Sequence, residues 1–231
     1  MKQLKKILIS YQNIVFPLTC ACCGSSTSEQ NCYLCEWCKL DRFEKACAGP
    51  GNFLPERIRF CFSMWYFDKG GYLQKLLHDL KYHHLKGVGV ELGECLGRAF
   101  LNRLESSMTE EFALAKPLLV PVPLYKSRQR KRGYNQARAM AEGVARVTSW
   151  PVARQGLIIR TKNTKTQTGL NSLERENNLA GAFEVTDSAE LQDKFPILID
   201  DVFTTGSTTF EVAKTVLKDE QKAGILTVAK A

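Results

Sequence analysis

Two adjacent aspartates, Asp200 and Asp201, follow an apolar run and lie two residues before a stretch rich in hydroxyl side chains. The apolar run, residues 197–199, is typical of a central parallel strand that is buried on both faces. Ligands of open α/β sheets bind at the carboxyl ends of such strands. The sequence therefore predicts a ligand site at this strand end, and the two carboxylates are its first candidate residues.

The turn after the aspartates has the composition of a phosphate-binding turn, and a helix is expected to begin in it. Its residues are Thr204, Thr205, Gly206, Ser207 and Thr208. Hydroxyls and the N–H groups of a helix N-terminus bind phosphate, and glycine lets the backbone approach the ligand closely. An ordinary N-capped turn would explain one Thr or Ser here, but not the whole array.

The acidic pair would repel a phosphate, so we expect it to bind another part of the same ligand. Vicinal ribose hydroxyls donate hydrogen bonds to carboxylates and meet that requirement. A phosphate site beside a diol site predicts a 5′-phosphorylated ribose. A Walker A nucleotide loop is excluded, because no Gly-Lys-Ser/Thr follows the strand.

Six of the nine cysteines lie within residues 20–38, which favours a metal site over a disulfide framework. Two Cys-x-x-Cys pairs provide four thiolates for a structural, tetrahedral zinc site. The ligands of this predicted site are Cys20, Cys23, Cys35 and Cys38. Cys22 and Cys32 are surplus, Cys32 with Cys35 forms a competing pair, and free cysteines in a small core are the alternative.

Positive charge is concentrated in one part of the chain. The net charge is +8, and residues 112–173 contain twelve Lys or Arg but a single acidic residue, Glu142. An excess confined to one segment indicates a local anionic partner rather than general solubility. Phosphate, pyrophosphate and a nucleic-acid backbone are the candidates.

Strand-like and helix-like segments alternate beyond the cysteines, which predicts an α/β fold with a mainly parallel sheet flanked by helices. Strands are expected near residues 60–67, 118–122, 157–159, 195–199 and 225–229, with helices between them. The predicted division is a helix and zinc ribbon at 1–47, a Gly/Pro-rich linker at 48–56, and one α/β domain over 48–231.

The N-terminal residues predict a short amphipathic helix, because Leu4, Leu8, Tyr11 and Val15 fall on one helical face. The three lysines before this stretch resemble the start of a signal peptide, but polar residues interrupt its apolar region. No segment has the roughly 18 apolar residues that span a bilayer. We therefore expect a cytoplasmic protein without membrane insertion.

Three motifs resemble those of known families. Residues 197–208 resemble the phosphoribosyl-pyrophosphate (PRPP) motif of type I phosphoribosyltransferases. Residues 120–136, with Val-Pro-Val-Pro-Leu and then Arg-Lys-Arg-Gly-Tyr-Asn-Gln, are similar to the central signature of the ComF/GntX-like family. Residues 160–168 resemble the Arg-Thr and Thr-Gln segment of the same family. With the cysteine ribbon, these motifs occur in the family's order over residues 20–209.

The resemblance implies a type I phosphoribosyltransferase fold and roles for further residues. Val122 and Pro123 are expected in the pyrophosphate loop, with Arg128 and Arg132 beside it, since Arg matches phosphate oxygens well. Residues 160–169 are expected to form a hood over the substrate. Its predicted contacts are Arg160, Lys162 and Gln167.

The implied reaction is displacement of Mg²⁺-bound pyrophosphate from the ribose by a nitrogen acceptor. Asp200, Asp201, Arg160 and Lys162 are the expected catalytic residues, with Mg²⁺ bound together with PRPP. The acceptor is not identified by any motif. A glutamine-dependent amidotransferase is not supported, because no N-terminal cysteine or glutaminase domain precedes the core.

Two other functions stay open at this stage. The first is PRPP binding without transfer, in regulation or in DNA uptake with the competence machinery, to which the family is linked. The second is single-stranded DNA binding by the basic segment, assisted by the ribbon. The aromatic residues that such binding uses are few in that segment: Tyr125, Tyr134 and Trp150.

Overall fold

A computed structural model describes residues 19–27, 32–46, 54–105, 116–163 and 179–231. The predicted N-terminal helix, most of the linker and Gln167 lie outside these residues. The eight cysteines within the described ranges are free thiols. Among the described helices, none has the length and apolar character that crossing a membrane requires.

The fold is a mixed α/β arrangement, as the sequence predicts. The strands are β1 (Ile58–Tyr66), β2 (Pro117–Pro121), β3 (Ile158–Arg160), β4 (Phe183–Val185), β5 (Phe195–Phe203) and β6 (Ala223–Lys230). The helices are α1 (Glu36–Leu40), α2 (Tyr72–Tyr82), α3 (Lys86–Glu105), α4 (Lys126–Arg132), α5 (Gln136–Thr148) and α6 (Ser207–Val216), with a short 3-10 helix at Ser188–Leu191.

Four parallel strands form the main sheet in the order β1-β6-β5-β2. The strand that carries the aspartates, β5, lies between β6 and β2. It is therefore an inner strand of the sheet and has a neighbouring strand on each side. Strands β3 and β4 pair separately and antiparallel. The main sheet thus brings the ends of β2 and β5 side by side.

The two faces of the sheet pack against different helices. Ile197 and Ile199 face the core formed with α3 and α5, whereas Leu198 packs in the core formed with α6. All three side chains are fully buried. This alternation of facing side chains explains why the run is apolar without interruption.

Helices α3 and α5 approach each other at two glycines. A Cβ on Gly93 would lie 2.0 Å from the Met140 carbonyl oxygen, and a Cβ on Gly143 would lie 2.0 Å from that of Val90. Only glycine permits backbones this close. The contact fixes α5, and with it the turn that precedes α5, against the rest of the domain.

Four elements were not predicted. Helix α1 lies in the cysteine segment, where the spacing predicts a metal site but no helix, and α4 lies in the basic motif. Strand β4 and the 3-10 helix lie in residues 183–191, where no periodicity was recognised. Strand β4 is only three residues long, too short for a periodic signal.

Candidate functional site

Asp200 and Asp201 lie near the carboxyl end of β5, within the strand, because β5 continues beyond the predicted end at residue 199 to Phe203. Asp201 is 6% exposed, and Asp200 is half-buried opposite Thr227 of β6. The Asp201 N–H donates to Asp200 Oδ1 at 2.9 Å. The two carboxylates therefore share a confined space at the carboxyl edge of the sheet.

The surroundings of the two aspartates shift their pKa values in opposite directions. Burial and the neighbouring carboxylate of Asp201 raise the pKa of Asp200 well above that of an ordinary aspartate. Burial acts in the same direction on Asp201, but the Lys81 ammonium and a hydrogen bond with Asp200 lower the pKa of Asp201 below its usual value. Burial and like charge thus disfavour the ionised form of Asp200, whereas Lys81 favours the ionised form of Asp201.

Lys81 is a site residue that the sequence analysis missed. Its Nζ forms an ion pair with Asp201 Oδ2, although Lys81 belongs to α2 and lies far from the aspartates in the chain. No motif includes it. Its one local signal is its position at the end of a helix whose neighbouring side chain, Leu80, is fully buried.

The turn after β5 carries hydroxyl side chains and leads directly into the N-terminus of α6. Gly206 caps α6 with a φ of 77°, and a Cβ there would lie 2.4 Å from the Phe210 ring, so glycine is required. The hydroxyls of Thr205 and Ser207 lie 2.7 Å apart. The first N–H groups of α6 have no intrahelical acceptor. Hydroxyls and amides converge where the turn enters the helix.

The loop after β2 runs beside the aspartates but uses its backbone internally. The Val122 N–H donates to the Ile199 carbonyl at 3.0 Å, and the Val122 carbonyl accepts from Asn135 Nδ2 at 3.0 Å. Pro123 has no N–H. A backbone contact to pyrophosphate would therefore have to come from Leu124 onward, not from Val122 or Pro123.

Arg160 is buried at the end of β3, with 8% of its surface exposed. Its guanidinium lies 5.4 Å from the centre of the Phe183 ring. Burial and the charge of Arg128 lower the pKa of Arg160 to about 10, against the attraction of Asp200. Arg160 thus interacts with Asp200 on one side and with Arg128 on the other. An isolated parallel bridge pairs the backbone of Tyr125, which precedes α4, with that of Arg160 at the end of β3.

Lys162 closes the base of the predicted hood. Its Nζ donates to the Ala180 carbonyl at 2.7 Å, and the Thr161 N–H donates to the Ala182 carbonyl at 2.9 Å. Gln167 lies outside the described residues. The described structure therefore contains the base of the hood and leaves its contacts with a ligand as a prediction.

Arg132 lies at the end of α4, beside the acidic pair. Its Nη1 donates to Gln136 Oε1 at 2.8 Å, and its charge contributes to the lowered pKa of Asp201. Arg130 and Lys131 are exposed on the same helix. Of the five basic residues of helix α4, Arg132 acts on Asp201 and Arg128 on Arg160, whereas Lys126, Arg130 and Lys131 are exposed.

The cysteine cluster is the second candidate site. The sulfur atoms of Cys20, Cys23, Cys35 and Cys38 all lie within 4.8 Å of one another. The Cys23 and Cys35 sulfurs are 3.7 Å apart. A tetrahedron with Zn–S bonds of about 2.3 Å has edges of roughly 3.8 Å, so the donor set fits zinc. Four cysteines in this arrangement can bind a metal.

The local backbone explains why four of the six cysteines, and not Cys22 or Cys32, form the cluster. Gly24, at a φ of 77°, closes the first turn by donating to the Cys20 carbonyl, and α1 places Cys38 one turn after Cys35. Cys22 is buried beside the group, and Cys32 instead accepts from Lys39 Nζ at 3.7 Å. Both surplus cysteines stand outside the four.

We call the described residues 19–27 and 32–46 the cysteine module. A buried carboxylate of α3 attaches this module to the α/β domain. Glu91 Oε2 accepts from the N–H groups of Tyr33 and Leu34, at 2.6 and 3.2 Å. Glu91 Oε1 pairs with Lys39 at 2.8 Å. Because Leu34 directly precedes Cys35, the second cysteine pair is anchored to α3 by these contacts.

Exposed aromatic side chains lie at the two ends of α2, with Trp37 and Tyr72 near its start and His78 and Tyr82 towards its end. We refer to these four residues as the aromatic stripe. The Arg42 guanidinium lies 4.0 Å from the ring centres of both Trp37 and Tyr72, and each ring is about half exposed. At the other end of α2, Tyr82 lies near Lys131 and Arg132.

The aromatics expected from the sequence are placed differently. The Tyr134 hydroxyl donates to the Leu80 carbonyl, and Trp150 packs at an angle to Phe100 in the core. These two residues stabilise the domain and do not extend the stripe. The aromatic surface therefore lies outside the basic segment, on a helix beside it.

Comparison with known proteins finds relatives but no matching family model. Competence protein F of Haemophilus influenzae is 40% identical over 104 residues, which cover 43% of this chain and 44% of that protein. DNA utilization protein YhgH of Escherichia coli K12 is 30% identical over 147 residues, 64% of this chain and 62% of that protein.

A third relative comes from Bacillus subtilis. Competence protein ComFC of Bacillus subtilis is 30% identical over 131 residues, 54% of this chain and 50% of that protein. The chain thus spans about half the length of the curated relatives that it matches.

Proposed function

Because this chain belongs to the ComF family of competence proteins, we propose that it binds PRPP at the end of β5 and acts in DNA uptake. The observation that carries the PRPP proposal is the placement of two carboxylates directly beside the hydroxyl-lined N-terminus of α6. The names of the relatives support the role in competence.

The 5′-phosphate would bind the turn formed by residues 204–208. Its hydroxyls and N–H groups provide donors, and the positive end of the α6 dipole favours an anion. Asp200 and Asp201 would then accept hydrogen bonds from the ribose hydroxyls. The distance between the two groups of donors and acceptors is set by the short link from β5 to α6.

The pyrophosphate would face the basic residues on the other side of the aspartates. Arg160 interacts with Asp200 and Arg132 with Asp201, and Arg128 interacts with Arg160. Their positive charges would oppose the repulsion between the carboxylates and the ligand. Mg²⁺ bound to PRPP would neutralise part of the pyrophosphate charge. Zinc would be held by the four clustered cysteines and would act structurally.

If transfer occurs, the bond between ribose C1 and a pyrophosphate oxygen breaks as a nitrogen acceptor forms its bond to C1. Positive charge develops on the ribose ring, and the ionised Asp201 provides a favourable field for it. Arg160 would stabilise the departing pyrophosphate. Lys162, at the base of the hood, would join it once the hood closes.

Calorimetric titration with Mg²⁺-PRPP tests this proposal. We expect the wild-type protein to bind and the Asp200→Asn/Asp201→Asn variant to lose binding, because the ribose hydroxyls lose their charged acceptors. Ribose 5-phosphate and ATP serve as comparison ligands. Equal affinity of wild type and double variant for PRPP would contradict the site assignment.

Single-stranded DNA binding is a second candidate, favoured by the aromatic stripe. Single-strand sites combine stacking side chains with a basic surface that follows the backbone. Here the stripe runs along α2 and meets Lys131 and Arg132 of α4. Tyr72 and Tyr82 are ten residues apart on the helix, about 15 Å. That length suits several stacked bases.

Fluorescence anisotropy with a labelled oligonucleotide tests the DNA proposal. Arg130→Glu/Lys131→Glu should weaken binding and reduce its dependence on salt, since fewer counterions are released. Tyr72→Ala/Tyr82→Ala should weaken it by about 1–3 kcal/mol per stacked base. Lys218→Glu/Lys222→Glu is the charge-matched control. These exposed lysines precede β6 and so lie at the amino-terminal ends of the strands, opposite the carboxyl ends where the aspartates lie. Equal losses in both charge variants would contradict a specific site.

A further inference from the structure

Lys81 contacts the acidic pair but belongs to none of the motifs that point to a ligand. We infer that Lys81 is a positioning residue of the ribose site: it holds one oxygen of Asp201 and leaves the remaining acceptor positions of that carboxylate for a ribose hydroxyl. The inference rests on the proposed PRPP function and adds a residue to it.

The burial of Asp201 makes such a partner necessary. Asp201 is 6% exposed and directly follows another carboxylate. A buried carboxylate without a partner is costly, and two adjacent ones repel each other. Lys81 provides the opposite charge in direct contact. Without it, Asp201 would take up a proton or turn away from the site.

Helix α2 fixes where this ammonium lies. At its start, Asp68 accepts from the N–H groups of Leu73 and Gln74 at 3.0 and 2.9 Å. At its end, Leu80 is fully buried and its carbonyl accepts from the Tyr134 hydroxyl. Lys81 follows Leu80 directly, so contacts within the protein fix the position of its backbone, and no bound ligand is needed to hold it at the site.

Other charged groups near Asp201 do not take this place. Arg132 of α4 donates to Gln136, Asp200 of β5 has the same sign of charge, and Tyr134 is held by Leu80. A carboxylate has about four acceptor positions. The ion pair with Lys81 therefore orients Asp201 without saturating it, and the ribose hydroxyl finds an oriented acceptor.

Calorimetric titration with three ligands tests the inference: PRPP, ribose 5-phosphate and inorganic pyrophosphate, each with Mg²⁺. Lys81→Met should weaken PRPP and ribose 5-phosphate by the same factor, about tenfold or more, equivalent to ~1.4 kcal/mol. Pyrophosphate affinity should change less than about twofold, since that ligand has no ribose. Lys81→Arg should restore most of the lost affinity.

Two controls separate positioning from a structural effect. Lys75→Met places the same substitution at an exposed position of α2 and should bind like wild type. In an Asp201→Asn background, Lys81→Met should have little further effect, because the two residues act as a pair. If Lys81→Met lowers the melting temperature too far for titration, Lys81→Gln replaces it.

The outcomes are distinct. Unchanged PRPP affinity in Lys81→Met, an equal loss of pyrophosphate affinity, or full additivity with Asp201→Asn would each overturn the inference alone. Absence of PRPP binding in the wild-type protein would overturn the proposed function, and this inference with it.

Discussion

Asp200 and Asp201 are adjacent in the chain, yet their contacts with the fold have opposite effects on stability. The ionised form of Asp200 is disfavoured by burial and by Asp201, whereas Asp201 is stabilised as an anion by Lys81. The fold thus keeps one of the two adjacent carboxylates in an environment that disfavours its charge. Such an environment is common where a residue is retained for binding rather than stability.

We predict that the two single Asn substitutions change stability in opposite directions at pH 7. Asp200→Asn should stabilise the fold by about 0.5–2 kcal/mol, because it removes a carboxylate whose charged form is disfavoured. Asp201→Asn should destabilise it by about 1–3 kcal/mol, because Lys81 loses its partner. Urea unfolding of both variants measures this.

The pH dependence provides the control. The raised pKa of Asp200 means that its cost appears above the unfolded pKa of about 3.9, so the gain of Asp200→Asn should vanish below about pH 4. The lowered pKa of Asp201 means that its stabilising effect is present above that value and is lost as pH falls. Two variants with the same sign of change at pH 7 would contradict the assignment of charges.

At the scale of elements, one side chain connects the loop after β2 with the start of α5. Asn135 Oδ1 accepts from the Ala137 N–H at 2.9 Å and caps α5, while Asn135 Nδ2 donates to the Val122 carbonyl. Since Val122 in turn bonds to Ile199 of β5, the helix start, the loop and the central strand are held together. The position of the loop beside the aspartates depends on this residue.

We predict that Asn135→Ala lowers stability by about 1–2 kcal/mol and also weakens PRPP binding, since it removes both the cap and the tether. Asn135→Asp keeps the capping oxygen and loses the donor. It should preserve most of the stability while still weakening binding. Thermal unfolding and titration of both variants separate the two contacts, and equal stability of the Ala variant and wild type would count against the cap.

At the scale of the whole molecule, the cysteine module and the α/β domain share one core. Phe43 of the module packs on Trp65 of β1 with ring centres 4.7 Å apart, and Leu34 is 1% exposed. The Glu91 contacts add a buried ion pair to this interface. We therefore expect the two parts to unfold together, although the sequence analysis divides them into domains.

Metal removal tests this coupling. A strong chelator should lower the melting temperature reported by the buried Trp65 as well as that of the ribbon, in one transition. Glu91→Gln should destabilise the metal-loaded protein by about 3–5 kcal/mol, the range for breaking a buried ion pair. Glu36→Gln, which removes the exposed partner of Lys39, is the matched control and should cost less than about 1 kcal/mol.

A ribbon that melts alone, with the domain transition unchanged by the chelator, would contradict the coupling. So would a Glu91→Gln variant as stable as wild type. Either result would indicate that the module unfolds independently of the α/β domain, as its separate position in the sequence suggests.

The sequence by itself determined the features that are local in the chain. The aspartates, the hydroxyl-rich turn and Gly206 lie within one strand-to-helix connection, and the spacing of the cysteine pairs follows from two tight turns. The parallel α/β fold followed from alternating periodicities. Each of these depends on residues close in sequence, whose physical roles can be interpreted without knowing what packs against them.

Only the tertiary structure decided which distant residues meet. Lys81 reaches Asp201 from another helix, and Glu91 binds the backbone of Tyr33 and Leu34 across the module boundary. Neither residue has a local pattern, because a single charge on a helix has the same sequence signature whether it faces solvent or a buried partner. The packing of α2 against the domain places Lys81 beside Asp201, so Asp201 has a cationic partner.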